Sequence, residues 1–88
     1  MELSTGQIVY SKRGRDAGLP FVVVAATEGY AYLADGKLRK LAKPKKKKGI
    51  HIQPTNGFAE DLREGLVGNR QVNDSDVRKA LATLRAVK

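Results

Sequence analysis

Apolar and polar positions alternate through much of the first fifty residues. In Gln7-Ile8-Val9-Tyr10-Ser11-Lys12, side chains alternating across the pleat put Ile8, Tyr10 and Lys12 on one face and Gln7, Val9 and Ser11 on the other. Arg13 to Gly18 breaks that pattern with Gly14 and Gly18 and predicts a loop, and Leu19-Pro20 returns the chain to extended geometry. Phe21 to Thr27 is β-branched and apolar at consecutive positions, which predicts a central strand buried from both sides. Glu28-Gly29 is a turn, and Tyr30-Ala31-Tyr32-Leu33 is a third strand. Asp35-Gly36 predicts a two-residue type I′ hairpin with Leu38 to Leu41 as the return strand. Ile50-His51-Ile52-Gln53 alternates as a final strand that Pro54 ends. Five short strands joined by tight turns suggest a small barrel.

After Pro54 the period changes. Phe58 to Leu66 predicts one or two helical turns with Asn56 as cap, limited in length by Gly65 and Gly68. A second helix is better signalled. Asn73 caps it, Asp74 and Asp76 suit the positive end of its dipole, and Val72 with Val77 makes a hydrophobic staple. Val77, Ala80, Leu81, Leu84 and Val87 recur at helical spacing, with Arg78, Lys79 and Arg85 off that stripe, so the stripe is expected to cover an opening or face of the barrel. The chain divides into a barrel over residues 1–54 and a helical extension over 55–88 packed on it as one folding unit.

Charge changes the picture more than composition does. The 88 residues carry a net charge of +8. Residues 1–52 hold 11 Lys/Arg against 4 Asp/Glu, and residues 53–88 hold 6 against 5, so the first part carries the field. Such a field selects polyanionic partners, with nucleic acid first, an anionic membrane second and an acidic protein third. With no cysteine, there is no disulfide framework, thiolate nucleophile or zinc ribbon. The amino terminus lacks the basic and long apolar segments of a secretory signal, and Leu19 to Ala26 is too short to span a bilayer, so the sequence reads as a soluble cytoplasmic protein.

Gly6, Ile8 and Val9 on the first strand, Gly14-Arg15-Asp16-Ala17-Gly18 in the loop and Val22 to Val24 on the second strand resemble the KOW family of small SH3-like barrels. Leu33-Ala34-Asp35-Gly36, Arg39-Lys40 and the lysine run leading to Ile50-His51-Ile52 are similar to KOW-type large-subunit ribosomal proteins of archaea and eukaryotes. The resemblance covers residues 6–53. From Thr55 onward the chain departs from the ribosomal pattern and looks more like a free-standing bacterial-style KOW protein. The resemblance implies a mainly β fold, a five-stranded SH3-like (KOW) barrel followed by a short helical extension. It also implies binding of structured RNA, foremost ribosomal RNA, through basic loops and without catalysis, in translation or ribosome assembly.

The candidate RNA contacts are Lys12, Arg13, Gly14, Arg15 and Gly18 in the first loop, and Lys37, Arg39 and Lys40 around the hairpin. Lys43, Lys45, Lys46, Lys47 and Lys48 in the lysine run and His51 complete the set. In the first loop the cations would meet phosphates, aided by backbone N–H groups that Gly14 and Gly18 leave accessible, while Asp16 orders the loop by hydrogen-bonding its backbone. The plainer reading of these residues is a solvated hairpin loop. Lys45 to Lys48 repel one another and are expected to form an exposed, mobile loop that reads RNA shape more than sequence. If roughly five phosphates are neutralised, log affinity should fall against log salt with a slope of about −3.5 to −4.5.

Tyr30 and Tyr32 could stack on bases, but the favoured reading puts their rings under the last helix as core. Alternation places His51 on the outer face, away from Ile50 and Ile52; it stands alone as a histidine, which argues against a metal site. Glu60, Asp61 and Glu64 are a solvated helix face rather than a catalytic set, and neither a Walker lysine nor a nucleophile elbow is present, so no enzyme and no cofactor are expected. Asn73-Asp74-Ser75 matches a glycosylation sequon but reads as a helix cap. The alternative is an SH3-like protein-interaction module of the transcription or translation machinery. A lysine field by itself does not separate RNA from DNA.

Overall fold

The computed structural model describes residues 3–68 and 71–86. Five strands, β1 (Gln7–Ser11), β2 (Pro20–Thr27), β3 (Tyr30–Ala34), β4 (Lys45–Lys48) and β5 (Ile52–Phe58), form one antiparallel sheet in the order β4-β3-β2-β1-β5. A 3₁₀ turn over Gly49–His51 joins β4 to β5, and two helices follow, α1 (Glu60–Val67) and α2 (Asp74–Ala86). The fold is mainly β, and the sheet is open, with β4 and β5 as its edges.

Pairing of β1 with β2 sorts the core onto two faces. Ile8 opposite Val22 belongs to a cluster with Ala59, Leu62, Val77 and Leu81, which carries both helices. Val9 opposite Phe21 belongs to a second cluster with Val23, Ala31, Leu33 and Ile52 on the other face. Each fully buried Val, Leu, Ile or Phe among these contributes about 1.5–3 kcal/mol relative to exposure. β2 is buried on both faces only over Pro20–Val23; the register shifts between Val23 and Ala25, and Ala25 to Thr27 is exposed. Beyond the bulge the strand has left the core, which corrects the expectation of a strand buried throughout.

The Asp35-Gly36 segment does not make a two-residue hairpin, and Leu38 to Leu41 is not a strand. Asp35 Oδ1 accepts from the amides of Lys37 and Arg39, both at 2.9 Å, while the amides of Asp35 and Gly36 donate to the Arg39 carbonyl. The Asp side chain thus takes backbone donors that a ladder would need. Leu38 is left 84% exposed. α2 fastens this loop from outside: Asp74 Oδ1 accepts from the Leu41 amide at 2.8 Å, and Arg78 Nη1 donates to the Gly36 carbonyl at 2.6 Å. Gly36 has a φ of 79°, and a Cβ there would lie 2.5 Å from the Asp74 carbonyl oxygen, so glycine is required by conformation and by space.

The fourth strand is instead the lysine run, and Tyr30, Ala31, Tyr32 and Leu33 pair with Lys48, Lys47, Lys46 and Lys45. The exposed mobile loop expected there is corrected: backbone bonds to β3 outweigh repulsion among side chains that alternate between opposite faces. Ile50 and His51 lie in the 3₁₀ turn rather than in a strand, so alternation does not apply; Ile50 is exposed and His51 half-buried. β5 runs through Pro54, which sits opposite Val9, to Phe58. Proline is tolerated because β5 is an edge and pairs on one side only. The junction between barrel and extension placed at residue 54 therefore falls inside a strand.

Asn56 lies in β5 and does not cap α1, whose N-cap is Ala59 without a side-chain bond. Gly65 does not stop the helix, which continues to Val67. A Cβ on Gly6 (φ 86°) would come within 2.6 Å of Arg63 Cβ, so this glycine lets α1 pass close to the start of β1. At α2 the expected cap is present as a reciprocal box. Asn73 Oδ1 accepts from the Asp76 amide and Asp76 Oδ2 from the Asn73 amide, each at 3.1 Å. Val72 packs against the cluster that holds Val77, as a staple requires. Val77, Leu81 and Ala80 face the sheet. Val87 and the side chains of Leu84 and Arg85 lie outside the described residues.

Candidate nucleic-acid interface

Antiparallel pairing brings the β1–β2 connection, residues 12–19, and the β3–β4 connection, residues 35–44, to one end of the sheet. Lys12, Arg13, Gly14 and Arg15 are exposed in the first, and Lys37, Arg39, Lys40 and Lys43 in the second. The acids interleaved with them are engaged. Asp35 holds its own loop as described above. Asp16 binds across to the edge strand.

Asp16 joins three elements. Oδ2 lies 2.9 Å from Lys45 Nζ, and Oδ1 lies 3.1 Å from Lys47 Nζ and 2.7 Å from the donating Ser11 hydroxyl. Lys47 Nζ also donates to the Arg13 carbonyl at 2.8 Å. The Lys47 and Asp16 side chains are 7% and 13% exposed, so water screens this contact weakly. Burial opposes ionisation of Asp16, but hydrogen bonds from Lys45, Ser11 and Lys47, with the Lys47 charge, outweigh it and hold the carboxyl well below the usual carboxylate range. Asp16 does order the loop, through side chains of β1 and β4.

This arrangement divides the expected contacts. Lys45 and Lys47 face inward and are tied to Asp16, so neither offers a free ammonium to a polyanion. Lys46 and Lys48 are exposed on the opposite face of β4, and Lys46 Nζ stands 4.5 Å from the centre of the Tyr30 ring. Tyr30 and Tyr32 are half-buried beside these lysines, and neither is among the buried residues of the helix-bearing cluster, so the reading that puts them in the core under α2 is corrected. The Gly18 amide donates to the Ser11 carbonyl at 2.8 Å and is not accessible to a phosphate. His51 accepts the Lys12 amide at its carbonyl, 2.9 Å away, so its backbone anchors the first loop.

Asp16 is the residue that reading the loop by itself undervalued. A signal existed: if the lysine run is a strand, period-two alternation places Lys45 and Lys47 on one face and demands a shared anion there.

Among the described residues no group of His, Asp and Glu could hold a metal ion, and no helix is long and apolar enough to cross a membrane. Glu60 and Glu64 are exposed on α1, and the Asp61 side chain lies outside the described residues. No family model matches the chain, and neither does any curated protein.

Proposed function

We propose that this chain is an RNA-binding protein with a KOW-like architecture, acting in the cytoplasm on structured RNA, foremost ribosomal RNA, as a binder and not a catalyst. One observation carries the proposal. The cations of the two loops at one end of the sheet, Lys12, Arg13, Arg15, Lys37, Arg39, Lys40 and Lys43, are exposed, while the acids beside them, Asp16 and Asp35, are occupied in holding the loops. Fixed cations on pinned loops suit a fixed phosphate geometry, which a random charged tail does not. Lys46 and Lys48 extend the surface along β4.

Strand order supports the SH3-like reading. In a four-strand meander whose fifth strand returns after one 3₁₀ turn to pair with the first, the two edge strands are joined by a short connection, as an SH3-like barrel requires.

Ultraviolet cross-linking in the native cells, with sequencing of the attached RNA and mapping of the peptide, tests the proposal. Cross-links from residues 12–15 or 37–48 to one region of ribosomal RNA are the expected result. Diffuse cross-links, or partners that survive nuclease treatment while RNA is absent, would replace it with the protein-interaction module.

A further inference from the structure

A pocket of about 200 Å³ opens where the end of the β1–β2 loop, the start of the β3–β4 loop and α2 meet. Its apolar wall is Leu19, Pro20 and Leu81, and its polar wall is Asp35, Lys37 and Arg78. We propose that it is a subsite for one unpaired, unstacked nucleotide of the bound RNA, with the base against the apolar wall and the phosphate at Lys37. The proposal rests on the RNA-binding reading and adds a way of telling one RNA structure from another.

The wall is fixed before any ligand arrives. Pro20 is buried at the start of β2, Leu81 is 6% exposed within the helix-bearing core, and the 35–39 loop is held by Asp35 Oδ1 and by α2. Arg78 donates Nη1 to the Gly36 carbonyl at 2.6 Å, which anchors the guanidinium at one edge. Arg78 is exposed, and in the subsite its guanidinium plane stacks on the base, a use that single-stranded RNA recognition makes of arginine as it does of aromatic rings. Leu19 is 40% exposed in an otherwise basic, polar loop; covering it with a base removes apolar surface from water. Lys37 is exposed at the pocket and carries the charge that a nucleotide's phosphate needs.

Asp35 supplies the selectivity. Among the described residues it is the one acidic side chain lining the pocket, and its Oδ1 already accepts two amides, so in the subsite Oδ2 accepts from the base. Adenine, cytosine and guanine present an exocyclic amino donor, whereas the one donor of uracil is its ring N3–H, set between two carbonyl oxygens that a carboxylate repels. The subsite therefore favours amino-bearing bases over uracil.

The test compares one RNA hairpin in three forms, with a fully paired stem, with a single bulged adenosine and with a single bulged uridine, by fluorescence anisotropy at fixed salt. The full chain should bind the adenosine-bulged hairpin about tenfold more tightly than the paired one, the scale of one stacked base, with the uridine bulge between them. Ala82 lines the pocket from the exposed face of α2, and Ala82→Leu fills the space without changing charge and at little cost in helix propensity. This variant should keep its affinity for the paired stem and lose the bulge preference. Equal binding of all three hairpins by the native chain overturns the subsite and leaves RNA binding standing. A preference that survives in Ala82→Leu also overturns it, because the bulge is then read elsewhere. Binding of none of the hairpins removes both the subsite and the reading it rests on.

Discussion

Lys45 and Lys47 share a strand and a residue type with Lys46 and Lys48, yet the two pairs do different work. The inward pair lies on the face of Leu33 and Ala31 and converges on Asp16, with the Lys47 side chain 7% exposed. The outward pair lies on the face of Tyr32 and Tyr30 and is exposed. Strand parity, not charge, decides which ammonium is structural. A basic run is therefore not a count of available charges: in four consecutive lysines, two tie a loop to a strand and two remain exposed.

Removing the acid breaks this division most severely. Asp16→Ala leaves Lys47 nearly buried with only the Arg13 carbonyl as partner. Loss of one member of a buried pair costs about 3 kcal/mol, which urea denaturation would show as a lower midpoint at unchanged slope. The variant also raises the net charge and takes the shared anion from Lys45 and Lys47. Charge counting predicts tighter RNA binding; a loop that must be pinned to present Arg13 and Arg15 predicts weaker binding, and weaker binding is expected here.

The outward pair answers in binding rather than in stability. Lys46→Gln combined with Lys48→Gln should leave the unfolding free energy within about 1 kcal/mol of the native chain, the scale of one exposed ring contact. The salt slope for duplex RNA should become shallower by about 1.4–1.8, at roughly 0.7–0.9 per phosphate contact. The same two substitutions at Lys45 and Lys47 should lower stability and leave the slope unchanged. An equal loss of slope from either pair would erase the distinction between them.

Acid sharpens the comparison from another side. The folded-state pKa of Asp16 lies below its unfolded value near 3.9, so the unfolded chain binds the extra proton between the two. Stability from this group is fully present above about pH 4 and is lost as pH falls toward the folded pKa, by up to about 1.4 kcal/mol per pH unit. The stability difference between the native chain and Asp16→Asn should therefore shrink as pH is lowered through that window and stay level from pH 5 to 7. A difference that stays constant down to pH 2 would mean that the carboxylate charge does not hold the loop.

The elements legible in the sequence were those whose signal is local. Val22 and Val23 in β2, the Glu28-Gly29 turn and the Asn73 cap of α2 are fixed by neighbours within a few positions. The lysine strand was not legible that way. Its partners in β3 and at Asp16 lie far off in the chain, Asp16 being 29 positions from Lys45 and 31 from Lys47, and four adjacent ammonium groups argue against order until those partners are placed. The opposite error arose at Leu38 to Leu41, where an apparent hairpin gave way to the bonds that Asp35 Oδ1 makes to backbone amides. For the candidate interface, the first loop was legible as a basic loop, but the engagement of the Gly18 amide by Ser11 was not, because only the closed loop reveals it.

The smallest effect separates the two outward lysines from each other. Lys46 Nζ lies 4.5 Å from the Tyr30 ring centre, which contributes about 0.5–1 kcal/mol at an exposed site, while no such ring contact is made by Lys48 among the described residues. Lys46→Gln should thus lower stability by a few tenths of a kcal/mol more than Lys48→Gln, and Tyr30→Leu should abolish that gap in a double-mutant cycle. The same ring contact bears on binding. An ammonium held over Tyr30 is restrained before RNA arrives, so Lys46 loses less side-chain freedom on meeting a phosphate than Lys48 does. With one phosphate contact each, the two single variants should lose the same salt slope, yet Lys46→Gln should weaken RNA binding more, and Tyr30→Leu should bring the two losses together. If the losses are equal in the native background, the ring contact belongs to the fold alone.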